Sequence, residues 1–149
     1  MSAMDRSQEP KLLFPGLAGF YASVSDLWYP LIRIAAGAIL FTHGWVKLHA
    51  GAGGTAGVLT KIGFVAPSGF AYVVLFLETV GAACIVLGLF TRVFAAAIAI
   101  ELAVISFMVM MPNGWGRMEY TLMWGIIMFA IALRGGGPYS VDRLIGKEL

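Results

Sequence analysis

Apolar residues along this chain gather into four long runs, separated by short clusters of glycine, proline and charge. A helix rises about 1.5 Å per residue, so a hydrocarbon layer about 30 Å thick takes roughly 17–25 apolar residues to cross. Runs at about 27–48, 70–90, 93–111 and 118–133 meet that length, the last only with an added turn. None alternates with a period of two, which argues against membrane β-strands. The pattern predicts an all-α fold, an integral membrane four-transmembrane-helix bundle over 27–134. An N-terminal segment, 1–26, precedes it and a short tail, 135–149, follows.

The boundaries have local causes. Asp26 is a candidate N-cap for the first run, and Pro30 fits a first helical turn, where its missing N–H is not needed. Trp28 and Tyr29 stand where interfacial aromatic anchors belong. Gly51-Ala52-Gly53-Gly54 ends the first run and Pro67-Ser68-Gly69 precedes the second. Thr91-Arg92 leaves so little chain between the second and third that they must form a tight antiparallel hairpin. Pro112-Asn113-Gly114 and Gly135-Gly136-Gly137-Pro138 stop the third and fourth. Segment 14–25 reads as a helix lying in the cytoplasmic interface or as a loop. Segment 55–65 reads as a short amphipathic or re-entrant helix with Lys61 on its wet face, or again as a loop.

Composition sharpens this picture. Of 149 residues 60% are hydrophobic and 12% charged, against about 45–50% and about 25% in soluble domains. A net charge of +2 offers no basic field for nucleic acid. The lone cysteine, Cys84, rules out an internal disulfide and any CxxC pair; in its apolar stretch it reads as a small buried hydrophobe. No cleavable signal peptide is expected, because Asp5, Arg6, Glu9, Lys11 and Asp26 interrupt the first 26 residues. Arg6, Lys11, Arg92, Arg134, Arg143 and Lys147 fall on one side of the bundle, while Lys47, Lys61 and Arg117 fall on the other. The side richer in Lys and Arg is the cytoplasmic one, so both termini are expected there.

Ionisable groups within the runs are the main functional signal, since each costs about 2.5–3.5 kcal/mol in hydrocarbon and must turn inward. At about 100° per residue, Arg33, Gly37, Leu40, His43, Gly44 and Lys47 share one face of the first helix. Glu78, Gly81, Ala82, Ile85 and Gly88 share a face of the second, a carboxylate on a stripe of small residues. In the third, Glu101 shares a face with Ala97 beside the strip Ala95, Ala99, Ala103. Depth then suggests two clusters. An outer one gathers His43, Lys47, Glu78, Arg117 and Glu119 near Tyr120, with Glu78 about 12 Å from the outer end of its helix. An inner one pairs Arg33 with Glu101. Both have a bland reading, as ion pairs that only fix helix register. The outer set has a sharper one as well: a histidine, a lysine and carboxylates at a wet rim suit a polar headgroup and a proton relay.

Several chemistries find no ligands in the sequence. His43 and His49 sit six apart near one helix end and cannot grip opposite faces of a haem. No CxxCH, Fe–S spacing, P-loop, GxSxG or HExxH occurs. The run Gly135-Gly136-Gly137 reads as a helix stop, and Met108, Met110 and Met111 as apolar filler. No metal site, haem or Fe–S cluster is expected.

The segments His43-Gly44-Trp45-Val46-Lys47-Leu48, Glu78-Thr79-Val80-Gly81, Gly88-Leu89-Phe90-Thr91-Arg92 and Pro138-Tyr139-Ser140-Val141-Asp142-Arg143 together resemble the DoxX family. The likeness runs over about 31–145 and rests on the order and spacing of these segments, none being specific alone. The resemblance implies a small multi-pass protein of the bacterial cytoplasmic (inner) membrane. It further implies association with quinone-reducing systems, as a subunit of thiosulfate:quinone oxidoreductase or a terminal quinol oxidase, while other members sit in membrane oxidoreductase complexes. Two readings follow. In the first, the chain is the membrane subunit of a quinone-linked oxidoreductase. His43 and Lys47 then act as donors to the headgroup, Glu78 accepts its proton, and Arg117 and Glu119 shape the mouth; electrons come from a partner subunit or a small reductant. In the second, it is a non-enzymatic scaffold or small-solute permease, docking partners or further copies of itself through lipid-facing helices.

Overall fold

The computed structural model describes residues 12–147, so Asp5, Arg6, Glu9 and Lys11 lie outside the described residues. A short 3-10 turn, Pro15–Leu17, leads into helix α1 (Ala18–Val24). Then come α2 (Trp28–Ala50), α3 (Gly53–Lys61), α4 (Pro67–Leu87), α5 (Thr91–Asn113), α6 (Trp115–Arg134) and α7 (Val141–Ile145). All regular structure among the described residues is helical. By length and hydropathy, α2, α4 and α5 are each sufficient to cross a membrane. Helix α6 has 20 residues and packs antiparallel on α5, with Arg92 at the start of one beside Ala132 and Leu133 at the end of the other.

The core is small and lies along the seam of these four helices, around Tyr29, Ala36, Ile85, Ala95, Ile98, Met128 and Ile131. The outside is studded with exposed Leu31, Ile100, Phe107, Ile126 and Phe129. A water-facing bundle of this size would place polar groups there. An inward small-and-polar face with an outward large-and-apolar one is what a lipid solvent selects.

Helix ends differ from expectation in instructive ways. Asp26 does not cap α2. The residue flanking the helix is Leu27, and its backbone is already helical, with φ −90° and ψ −24°, whereas a side-chain cap needs an extended residue there. Helix α4 starts at Pro67, three residues earlier than the hydropathy alone suggests, because proline suits the first turn and Ala66 turns the chain in the left-handed region. Segment 53–61 resolves as a helix, α3, with Lys61 exposed. Segment 14–25 is largely helical and carries no fully buried side chain.

The turn joining α4 to α5 is fixed from outside. Gly88 has φ +71° and Phe90 has φ +48°, the latter a conformation that side chains rarely adopt. Asp142, from the segment after α6, holds it. Its carboxylate accepts from Phe90 N–H at 2.7 Å, Thr91 N–H at 3.0 Å and the Thr91 hydroxyl at 2.7 Å. Asp142 therefore caps α5 from a distance of about fifty residues in sequence, supplying negative charge where the helix dipole is positive.

Candidate functional site

Arg33 and Glu101 do not meet, and the depth of each explains why. Arg33 is 14 residues from Lys47 on α2, about 21 Å along the axis. It lies at the end of the bundle where α4 finishes. Buried to 1% exposure, it donates to the Ile85 and Val86 carbonyls at 2.5 and 2.8 Å and to the Tyr139 carbonyl at 2.6 Å. Those of Ile85 and Val86 belong to the last turn of a helix, which lacks internal donors and carries negative dipole. The guanidinium fork suits such a set of oxygens. Arg92 does the same for α6, donating to Leu133 O at 2.7 Å and Ala132 O at 3.2 Å. Tyr29, expected as an interfacial anchor, is buried and donates its hydroxyl to Gly135 O, while the Arg134 guanidinium covers its ring. This end of the bundle is a polar lock on the tail.

The opposite end holds the ion pair. Lys47 Nζ and Glu78 Oε1 form an ion pair at 2.6 Å between α2 and α4. Two local features bring them together. Glu78 lies in a widened turn of α4, Leu77–Gly81, where the backbone bonds skip five residues instead of four; such turns recur at functional sites because they displace the following side chains. Gly44 packs directly on that turn, and a Cβ there would overlap the Glu78 backbone. Close approach of the two backbones is thus what lets a lysine one helical turn further on reach the carboxylate. A second widened turn, Ile105–Met110, follows Glu101 on α5.

Beside the pair lies a cavity of about 280 Å³, lined by Ile39, Leu40, His43, Lys47, Glu78, Leu102, Ile105, Met110, Tyr120, Thr121, Trp124 and Met128. Its walls are mainly hydrocarbon and aromatic. The polar lining comes from three helices: His43 and Lys47 from α2, Glu78 from α4, Tyr120 and Thr121 from α6. His43 sits at the edge, exposed, its Nδ1 3.0 Å from the Ile39 carbonyl. That contact leaves the other ring nitrogen available to a ligand.

Of the expected outer cluster, the structure thus brings His43, Lys47 and Glu78 to one cavity. Arg117 and Glu119 are exposed and line none of it. The inward face of α6 is set by Thr121, Trp124 and Met128 at helical spacing, and Glu119 falls outside that stripe. Tyr120 takes the place assigned to them. Glu101 was misplaced: it stands beside Glu78, within reach of its carboxyl group and under the influence of Lys47. A signal for this existed. In a tight hairpin turning at 88–90, residues equally far from the turn share a depth, and 78 and 101 are such a pair.

Comparison with known proteins agrees with this architecture. The DoxX family model matches residues 29–111. A Bacillus subtilis (strain 168) protein named "Putative oxidoreductase CatD" is 30% identical over 119 residues, which cover 78% of this chain and 86% of that protein. No solved structure matches at a significant level. Helices throughout the described residues, three of them fit to cross a membrane, a family match over more than half the chain and a relative matched over most of its length converge, and the chain belongs to the DoxX family of membrane proteins.

Proposed function

We propose that this chain is the membrane subunit of a quinone-linked oxidoreductase, and that the cavity beside Lys47 and Glu78 takes a quinone headgroup. The observation that carries the reading is a buried carboxylate paired with a half-buried ammonium in the wall of a mainly apolar cavity. The volume supports it: pockets for drug-sized molecules run to about 300–1,000 Å³, and about 280 Å³ suits one ring with its tail left outside among lipid. The donors also fit. Lys47 and His43 can hydrogen-bond a quinone oxygen, Trp124 supplies aromatic surface to the cavity wall, and Glu78 can give up or take the proton that accompanies reduction. Electrons come from a partner protein or a small reductant. The name of the Bacillus relative adds support at the level of reaction class only.

The same reading has α6 crossing the bilayer as a fourth span in the bacterial cytoplasmic membrane. The Arg33, Arg92 and Arg134 end, with the tail, then faces the cytoplasm, in keeping with the excess of Lys and Arg there. The test compares quinone binding and quinone reduction in membranes carrying the wild type, His43→Ala and Lys47→Met. Weakened binding in both variants is expected. Unchanged binding and rates, with the protein present at normal levels, would remove the proposal.

The alternative, a non-enzymatic scaffold, is favoured by one feature. An apolar groove of about 590 Å³ lies between α5 and α6, floored by Ala96, Ala99, Ala103 and Gly125, small residues of the kind that let another helix approach closely.

A further inference from the structure

Two buried carboxyl groups stand side by side here with one cation between them. Glu78 Oε1 is bound by Lys47. Glu78 Oε2 and both oxygens of Glu101 are buried and face no donor from elsewhere in the described chain. The two groups nevertheless lie within hydrogen-bond reach of each other. Ionised carboxylates are acceptors only, so two of them in contact would leave three buried oxygens unsatisfied and two like charges facing in a medium of low dielectric. One proton turns one of these oxygens into a donor to another and leaves a single negative charge for Lys47 to balance.

The surroundings on each side are known. Lys47 is the cation facing the pair from α2; His43 of α2 and Tyr120 of α6 share the cavity on the Glu78 side. Glu101 faces the other way, into a second cavity of about 290 Å³ between α3, α4 and α5, where Leu59, Phe64, Phe70 and Val104 bring no titratable group. The carboxyl pair is the polar partition between two apolar chambers.

We propose that Glu78 and Glu101 hold one proton in common, forming a dyad with a single negative charge set against Lys47. The shared proton stands on the burial of the pair and the lack of other donors to it; any part it plays in quinone reduction rests on the reading above.

Infrared spectroscopy of the full chain in lipid nanodiscs, in H₂O and D₂O near neutral pH, tests the pair without any ligand. The wild type should show a protonated-carboxyl C=O stretch that shifts in D₂O. The band should vanish in Glu101→Gln, where Glu78 is left with Lys47 as its partner, and persist in Lys47→Met, where the cation is gone. A wild type lacking the band overturns the proposal without need of any variant, and so does a band that survives Glu101→Gln unchanged. Because the readout requires no quinone, its failure is separate from failure of the binding experiment.

Discussion

Lys47 and Glu78 illustrate what one ion pair costs in an apolar bundle. Glu78 is buried, while the Lys47 side chain keeps 33% exposure and can lean toward the rim. Removing one partner of a fully buried pair costs about 3–5 kcal/mol because the other is left uncompensated. With Lys47 partly exposed, Lys47→Met is expected to lose about 2 kcal/mol, below that range. Adding Glu78→Gln should restore part of the loss, since the stranded charge then disappears. Thermal melting of the single and double variants in the same detergent measures the difference. Gly44 gives a second expectation at this scale. An alanine there collides with the Glu78 backbone, and overpacking of this kind costs about 1–3 kcal/mol. Gly44→Ala should lower the melting temperature and disturb the Lys47–Glu78 pair, whereas Gly57→Ala on open helix α3 should do neither.

Among the elements, the helix termini organise the end of the bundle that carries Arg33. Arg33 neutralises the carbonyl end of α4, Arg92 that of α6, and Asp142 the amide end of α5. Buried charge is tolerated there because each group meets a helix dipole of opposite sign and a fixed set of backbone partners. The short segment 135–147 is thereby part of the bundle and not a loose appendage. Asp142→Ala removes three accepted hydrogen bonds and frees a turn in which Phe90 has positive φ. A lost helix cap alone costs about 0.5–2 kcal/mol, so a loss at the upper end of that range is expected. Hydrogen exchange should locate it at 88–92, with amides near Glu78 little changed. Faster exchange throughout the bundle would mean that the lock holds more than the turn.

For the whole molecule, two exposed positions report which end of the bundle faces which compartment. Gly116 at the start of α6 and Lys147 beyond α7 are both exposed and lie at opposite ends of that helix. In a background with Cys84 replaced, Gly116→Cys should react with a membrane-impermeant thiol reagent on intact cells. Lys147→Cys should react only after permeabilisation. Labelling of both from the same side would mean that α6 does not cross, and reversed labelling would invert the orientation and move the Lys47–Glu78 cavity to the cytoplasmic half.

Hydropathy alone determined that the chain is helical, apolar on its outside and built for lipid, because apolar runs of that length with so few charges are stable as helices in a bilayer, where each backbone group finds its partner within the helix. Rotation of 100° per residue also told which face of α2 and α4 turned inward, and so named His43, Lys47 and Glu78 together. Partnership was another matter. Arg33 found backbone carbonyls instead of Glu101, Asp142 reached back to a distant helix start, and Tyr120 displaced Arg117 and Glu119 from the cavity. Each depends on relative depth and on where one backbone touches another, at Gly44 above all. Those are relations between helices, and periodicity within a single helix carries no information about them.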